Sequence, residues 1–233
     1  MLNNSLDLIK NSILEKICLS IDNNNEIEKS MLYSARAESK MLRGLLVHAS
    51  GKQNLKIHES SLTCLSAAIE LVHTYSLIHD DLPSMDNDDM RRNQPAAHIK
   101  FGEANAILSG DALQSLAFEI LSSKNTHHDA EVRCQLIYEL SKSSGSEGMV
   151  AGQVLDLVAE QKKLTLDQIF QLQRLKTGEL FRFSCIAPCI LSGKFNEIKI
   201  FEDFALKLGL AFQIKDDLLD IEGSTEEIGK KTQ

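Results

Sequence analysis

Proline, the residue that most often interrupts helices, is nearly absent from this chain. Only three prolines occur in 233 residues, at positions 83, 95 and 188, so long segments are free to form helices. In those segments the apolar residues recur with helical spacing, as in Leu62, Leu65, Ile69 and Val72. No alternating strand pattern bounded by turn residues is found. The sequence therefore predicts an all-α protein.

Polar stretches divide the chain into roughly eight helical segments with short connectors, as in a helical bundle. These stretches fall near residues 20–28, 50–56, 122–130, 141–148, 192–199 and 222–229. None has the composition of an interdomain linker and no fixed-period repeat occurs, so residues 1–233 are expected to form a single domain. The most apolar stretch, Leu180 to Leu191, contains Arg182 and Pro188 and is typical of a buried core helix.

Composition excludes several classes of protein. With a net charge of -8 and no tryptophan, the chain lacks the basic face and the stacking rings that a nucleic acid needs. Five cysteines at irregular spacings, without a CxxC pair, indicate reduced thiols in a cytoplasmic protein. No run approaches the length of a membrane span, and Asp7 and Lys10 interrupt the first apolar stretch, so no transmembrane segment or signal peptide is expected.

The first of two acidic motifs is HDDLPSMDNDDMRR, residues 79–92, at the end of an apolar helical segment. Pro83 disfavours helix at the residue before it, so the helix should end near residue 81 or 82. That places Asp80 and Asp81 at a helix C-terminus, where the helix dipole is negative. Two carboxylates are unfavourable there unless a cation joins them.

The second motif is DDLLD, residues 216–220, which follows the apolar run LGLAF. On a helix, Asp216, Asp217 and Asp220 share one face, because they are three and four residues apart. Carboxylates in this arrangement repel one another, and they are costly beside apolar surface. Mg²⁺ resolves the conflict, since it binds one or two carboxylates together with substrate phosphates and water.

A single acidic run is most simply a solvated surface. Two runs that end apolar helices, one of them followed by Arg91 and Arg92, favour metal–phosphate binding instead. A calcium loop is excluded, because neither run has alternate acidic ligands, a mid-loop glycine and a closing glutamate. Zinc is excluded because neither His79 nor the pair Cys185 and Cys189 has companions at ligand spacing.

Five segments, in order, resemble the motifs of the short-chain trans-polyprenyl diphosphate synthases, and among these the chain looks like the bacterial farnesyl diphosphate synthases. The segments are HTYSLIHDDLPSMDNDDMRR, FGEANAILSGDAL, GMVAGQVLDL, LKTGEL and AFQIKDDLLD. The resemblance implies an isoprenoid-synthase-type helical bundle around a central cavity, usually a homodimer, with the acidic motifs facing each other across its mouth. Because the chain stops soon after the second motif, it is expected to lack the family's usual C-terminal helices.

The resemblance also implies a Mg²⁺-dependent, head-to-tail condensation of isopentenyl diphosphate with an allylic diphosphate. The allylic substrate ionises to a cation and pyrophosphate, the double bond of isopentenyl diphosphate attacks the cation, and a proton is lost. Mg²⁺ and cationic side chains would stabilise the charge on the leaving pyrophosphate. A dry apolar cavity would keep water away from the carbocation.

By motif position, the resemblance assigns the site residues to three sets. The Mg²⁺-side carboxylates are Asp80, Asp81, Asp86, Asp216, Asp217 and Asp220, and all of these except Asp220 form the catalytic set together with Lys176. The groups that hold the allylic diphosphate are Arg91, Lys176, Thr177, Gln213 and Lys230. The isopentenyl diphosphate site comprises Lys40, Arg43, His73 and Arg92. The alternative for Lys40 and Arg43 is a solvated helix surface, and for His73 a position in the core.

The chain departs from the family pattern at several positions. The family's Gly-Gly-Lys-Arg-x-Arg-Pro reads here as ESKMLRG, residues 38–44, which keeps Lys40 and Arg43 but loses the glycines and the proline. Asn93 and Ala151 stand where glycine is usual, and Ala96 where threonine is usual. The aspartate motifs, by contrast, are complete.

Tyr75 lies five residues before Asp80, about 7.5 Å deeper along the helix. In the family an aromatic residue here marks C15 producers, so the resemblance predicts farnesyl diphosphate, with simple core packing as the other role for the ring. A geranylgeranyl diphosphate synthase remains an alternative. So does a non-catalytic subunit of a heteromeric prenyl synthase, which the divergent segment 38–44 favours. A terpene cyclase is the third alternative, disfavoured by the paired arginines and by the KTG motif at 176–178.

Overall fold

The computed structural model describes residues 2–53 and 56–222, which cluster into two compact units. The first unit comprises Met1–His48 and Glu59–His128, and the second comprises Ala49–His58 and Asp129–Gln233. Within the described ranges every regular element is helical except one hairpin of two-residue strands. The predicted all-α class is therefore confirmed.

The first unit is built around one buried helix. In chain order, the elements up to residue 128 are α1 (Leu2–Leu19), α2 (Glu26–Arg36), α3 (Leu42–Gly51), α4 (Glu59–Asp80), β1 (Met90–Arg91), β2 (Gln94–Pro95), α5 (Ala97–Phe101) and α6 (Glu103–Ser122). Helix α4 is apolar on nearly all sides, as expected of a helix surrounded by protein, and it packs against α1, α2 and α6. Leu62, Leu65, Ile69 and Val72, which predicted this helix, are no more than 2% exposed.

Helix α4 also has the length and composition of a membrane span, and it is the one helix with both properties in the part of the chain that is described. In this fold 78% of its most apolar stretch is buried by other protein atoms. A core helix of a folded domain has this kind of environment.

The second unit is centred on a second buried helix. Its elements are α7 (Ala130–Ser144), α8 (Met149–Gln161), α9 (Leu166–Gln173), a one-turn π-helix (Arg174–Gly178), α10 (Glu179–Leu191), a 3-10 turn (Phe195–Glu197) and α11 (Ile198–Glu222). Every residue of α10 except Arg182 is buried, so the predicted core helix is confirmed. Arg182 is accommodated because Glu179 and Glu139 accept its hydrogen bonds at 2.8 and 3.0 Å.

Five of the six predicted helix breaks coincide with connectors, and the sixth, 222–229, lies outside the described residues apart from Glu222, the last residue of α11. Five further breaks bring the described part to eleven α-helices, where roughly eight segments were expected; they lie at 37–41, 81–96, 102, 162–165 and the π-helical turn 174–178. The break at 162–165 has a recognisable signal. Thr165 and Gln168 exchange side-chain and backbone hydrogen bonds in a capping box that starts α9.

The hairpin corrects the expectation that the chain contains no strand. Strands β1 and β2 pair antiparallel, and each is too short to produce an alternating pattern. Arg92 and Asn93 connect them with φ angles of 52° and 62°, as in a type I′ turn. Asparagine tolerates this left-handed geometry better than most residues, so Asn93 can stand where the family usually has glycine.

Candidate active site

The first acidic motif folds back on the end of α4. The helix ends at Asp80, one residue before the predicted range, and the following loop is closed by backbone hydrogen bonds. The N–H of Asp86 donates to the carbonyl oxygen of Asp80 at 2.9 Å. This bond brings two of the predicted metal-binding aspartates together at the negative end of the helix.

Asp81 forms a buried ion pair with Arg91. The carboxylate is 2% exposed, and Nε of Arg91 lies 2.9 Å from its Oδ1, while Nη2 of Arg91 contacts both Asp81 and Asp88. Burial lowers the pKa of Arg91, but the hydrogen bonds and charge of Asp81 outweigh that effect and raise it. Arg91, predicted to hold a diphosphate, is therefore charged and held in place by the same motif.

The donors of this motif suit a hard cation. Within the described ranges no group of three or more His, Cys, Asp and Glu side chains is placed to hold a metal ion alone. The backbone bond between Asp86 and Asp80 keeps these two aspartates in neighbouring positions of the loop, and the motif supplies carboxylate side chains in addition to Asp81, which contacts Arg91. Mg²⁺ needs no more than one or two carboxylates when phosphate oxygens and water complete its octahedron. The residues therefore fit Mg²⁺ bound together with a phosphorylated ligand.

His79 fixes the last turn of α4 against α6. Its Nε2 lies 3.1 Å from the carbonyl oxygen of Ile107, and a Cβ on Gly110 would fall 2.1 Å from the same nitrogen. The glycine thus leaves the space that the imidazole occupies. The ring of Tyr75, one turn earlier, is 5.8 Å from that of His79 and 6% exposed. Burial raises the pKa of Tyr75 to about 12, so its hydroxyl stays protonated.

A cationic cluster is formed by Arg43 on α3, His73 on α4 and Arg92 in the hairpin turn. The two arginines interact with Glu70, which is 4% exposed, and both act on the pKa of His73. Burial lowers the pKa of Arg43 to about 10, with Glu70 opposing and Arg92 adding to that change. Lys40, predicted for the same site, is exposed on the segment that leads into α3.

His73 is uncharged at neutral pH. Burial of its ring lowers its pKa well below the usual value, and the charges of Arg43, Arg92 and Arg91 lower it further. The imidazole can therefore donate one hydrogen bond and accept another without adding charge to the cluster.

In the second unit, a π-helical turn carries two of the predicted residues. Nζ of Lys176 is 2.5 Å from Oδ2 of Asp156 on α8, and Oγ1 of Thr177 donates to Oε1 of Gln213 on α11 at 2.8 Å. Single π-turns inside helices occur frequently at functional sites. Here the turn interrupts the regular spacing between α9 and α10 and presents Lys176 and Thr177 to two different helices.

Helix α11 continues through the second acidic motif, as the spacing of its aspartates predicts. The side chains of Asp216, Asp217 and Asp220 lie outside the described part of the structure, and Lys230 lies beyond the described residues altogether.

Close helix contacts in the second unit depend on glycines. A Cβ on Gly152 of α8 would lie 2.2 Å from the backbone nitrogen of Lys176. A Cβ on Gly209 of α11 would lie 3.1 Å from Cα of Gly178. The π-turn is therefore packed directly against the backbones of both helices. This packing fixes the position of Lys176 relative to Asp156 on α8.

Comparison with known proteins agrees with this picture. The polyprenyl synthetase family model matches residues 24–233. The farnesyl diphosphate synthase of Geobacillus stearothermophilus is 45% identical over 207 residues, which are 88% of this chain and 69% of the relative. That of Escherichia coli K12 is 44% identical over 211 residues, or 89% and 70% of the two chains. The chain belongs to the polyprenyl synthetase family.

The polyprenyl synthetase fold is also found among solved structures. An FPP/GFPP synthase from Zymomonas mobilis matches with a TM-score of 0.91 and 40% identity, over 96% of this chain and 82% of that one. Both the resemblance to bacterial farnesyl diphosphate synthases and the isoprenoid-synthase-type fold are therefore confirmed.

Two residues that interact with predicted site residues were not singled out in the sequence. Asp156 lies inside the motif GMVAGQVLDL, three residues after its glutamine, so the motif itself was a signal for it. Glu70 lies in the middle of an apolar helix. A carboxylate in an apolar helix is costly to bury unless it has hydrogen-bond or charged partners. The sequence therefore contained a signal that Glu70 forms such an interaction.

We expect Gly152→Ala to loosen the π-turn of this family member. The added methyl group cannot fit at 2.2 Å from the backbone of Lys176, so the helices must separate. Overpacking of this kind lowers the free energy of unfolding by about 1–3 kcal/mol, which urea denaturation would measure. Val150→Ala is the matched control on the same helix, because Val150 is 44% exposed and its truncation should change the value by less than about 0.5 kcal/mol. Equal effects of the two changes would contradict the tight contact at Gly152.

Proposed function

We propose that this protein is a Mg²⁺-dependent prenyltransferase that condenses isopentenyl diphosphate with dimethylallyl and geranyl diphosphate to give farnesyl diphosphate. The observation that carries the proposal is the folded first motif, in which Asp81, directly after the C-terminus of α4, is buried in contact with a partly buried arginine. The chain that carries this motif is 45% identical to a farnesyl diphosphate synthase.

The six motif carboxylates would hold Mg²⁺: Asp80, Asp81 and Asp86 in the first motif, and Asp216, Asp217 and Asp220 in the second. When bound, the ion stabilises negative charge on the diphosphate as a Lewis acid. Asp81 would share its carboxylate between the ion and Arg91, since the two lie in direct contact. This arrangement would couple the position of the guanidinium to that of the metal.

The allylic diphosphate would be held by Arg91, Lys176, Thr177, Gln213 and Lys230. Lys176 and Arg91 would each supply positive charge to the diphosphate oxygens, on which negative charge grows as the carbon–oxygen bond breaks. Donors that are fixed before the reaction stabilise such charge most effectively, because they need not reorganise. The contacts of Lys176 with Asp156 and of Thr177 with Gln213 supply that fixation.

The acceptor, isopentenyl diphosphate, would bind through Lys40, Arg43, His73 and Arg92. Arg43 and Arg92 supply charge, and the uncharged His73 supplies hydrogen bonds. With the diphosphate anchored, the acceptor double bond can be held near the allylic carbon, which converts a bimolecular step into one within a complex.

Tyr75 would limit the product to C15. Its ring is buried one turn and a half before the first aspartate, where a growing apolar chain would meet it. A smaller side chain at position 75 would leave room for a longer product, as in a geranylgeranyl diphosphate synthase. Tyr75 is therefore the residue on which the choice between these two activities depends.

The same proposal covers the surroundings of the reaction. Residues 1–233 would act as a single polyprenyl synthase domain, and the protein would be a cytoplasmic homodimer that works on soluble diphosphates. Support comes from the family match over residues 24–233 and from the reduced thiols that the cysteine spacing indicates.

The proposed reaction can be tested with purified protein, Mg²⁺, isopentenyl diphosphate and geranyl diphosphate. We expect mass spectrometry to detect a C15 diphosphate. Excess EDTA should abolish its formation, because the charge on the diphosphate is then not stabilised by a cation, and renewed Mg²⁺ should restore it. Activity that survives EDTA would contradict the metal assignment. Hydrocarbon products would identify a terpene cyclase, and the absence of turnover would favour a non-catalytic subunit.

A further inference from the structure

Glu70 is a buried carboxylate that the proposed reaction does not use. It accepts the N–H of Gly44 at 2.8 Å, and the N–H of Arg43 also stabilises it. Both donors belong to the first turn of α3, whose N–H groups have no partner within the helix. Met41 precedes the helix and has no side-chain oxygen that could cap it. The carboxylate of α4 therefore caps α3.

The first turn of α3 is seated directly on α4. Oγ of Ser66 donates to the carbonyl oxygen of Gly44 at 3.0 Å. A Cβ on Gly44 would lie 2.8 Å from Cδ1 of Ile13 and 3.3 Å from Cγ of Glu70. This close approach fixes the backbone of Arg43, which immediately precedes the glycine.

Glu70 also lies among positive charges. Burial raises the pKa of Glu70, and the N–H groups of Gly44 and Arg43 and the charges of Arg43 and Arg92 reduce that rise without cancelling it. The carboxylate in turn raises the pKa of both arginines against the effect of their burial. Glu70 offsets part of the repulsion between the two guanidinium groups, and Asp81 also attracts Arg92. A bound diphosphate would offset the repulsion that remains.

We propose that Glu70 is a positioning residue for the acceptor diphosphate. It caps the turn that carries Arg43, and its charge keeps Arg43 and Arg92 in one cluster where both can bind the diphosphate. This inference rests on the proposed function. It also explains how ESKMLRG can present Arg43 without the glycines and proline of the family pattern, since the cap comes from α4.

The test is the variant Glu70→Gln in the full chain. The amide keeps the size of the side chain and an oxygen that can accept the N–H of Gly44, but it lacks the charge. We expect the KM for isopentenyl diphosphate to rise at least tenfold, while the KM for geranyl diphosphate and kcat change less than threefold. Glu70→Asp retains the charge and should recover part of the affinity. A general loss of folding would instead lower the apparent kcat, because a smaller fraction of the protein is active, and it would leave both KM values unchanged.

Ser66→Ala is the matched control, because it removes the other bond to Gly44 and changes no charge. It should lower the melting temperature but leave both KM values within twofold. An equal rise of the acceptor KM in both variants, or no rise in Glu70→Gln, would overturn the role of Glu70. If the unaltered protein shows no condensation, the proposed function fails, and calorimetric titration with isopentenyl diphosphate then decides the inference. Weaker binding by Glu70→Gln would support it, and equal or undetectable binding in both proteins would overturn it.

Discussion

Replacing Asp81 with alanine is expected to reduce kcat for condensation by at least 10²–10³-fold, on the order of the loss when one group that stabilises developing charge is removed. The change removes a carboxylate from the proposed Mg²⁺ site and leaves Arg91, whose side chain is 20% exposed, without its main partner. Breaking a buried ion pair from one side also lowers the free energy of unfolding, by about 3–5 kcal/mol.

Because that variant could lose activity through unfolding, Asp81→Asn should be measured beside it. Asparagine keeps the shape and can still accept a hydrogen bond from Arg91, but it is a far poorer ligand for Mg²⁺. Asp89→Asn is the control within the same loop, since this exposed aspartate has no proposed role. If folded Asp81→Asn retained more than a tenth of the activity, the assignment of Asp81 to the metal site would be wrong.

Replacing Tyr75 with alanine is expected to shift the main product from C15 to C20 and longer diphosphates. The ring is 6% exposed, so its removal opens space at the depth that a growing chain would reach. Truncation of a buried aromatic residue lowers the free energy of unfolding by about 3–5 kcal/mol, so product analysis should use temperatures well below the melting transition. Mass spectrometry of products made from geranyl diphosphate would report the chain lengths.

Tyr75→Phe is the matched control, because it keeps the ring and removes only the hydroxyl. It should continue to make C15 product. If Tyr75→Ala made nothing longer than the unaltered protein does, the ring would be a core residue and the chain would be stopped elsewhere. A shift in Tyr75→Phe as large as that in Tyr75→Ala would show that the hydroxyl, and not the bulk, sets the length.

The sequence predicted those features that depend on residues close together in the chain. Pro83 located the end of α4 to within a residue, and the spacing of the aspartates predicted the helix that carries Asp216 and Asp217. Both rules act over one helical turn. The apolar period likewise predicted that α4 is a buried helix. This pattern lies within the helix itself and can be recognised without knowing which elements pack against it.

Features that depend on contacts across the fold were not predictable in this way. Glu70 caps a helix whose first turn lies 26 residues away, and Asp156 meets Lys176 across 20 residues. The π-turn leaves no periodic signal, since it inserts a single residue into an otherwise helical pattern. Its location depends on Gly152, which lets the backbone of Lys176 approach α8 closely. The sequence does not show which backbone packs against this glycine.

The turn at Arg92 and Asn93 has a consequence for engineering the enzyme. Arg91 contacts Asp81, while its neighbour Arg92 interacts with Glu70, and one peptide unit of about 3.8 Å separates their Cα atoms. On the proposed function, these neighbours serve different substrates. A library that varies the turn would therefore change the recognition of donor and acceptor together, so variants with one altered preference should be sought at α3 or at the π-turn.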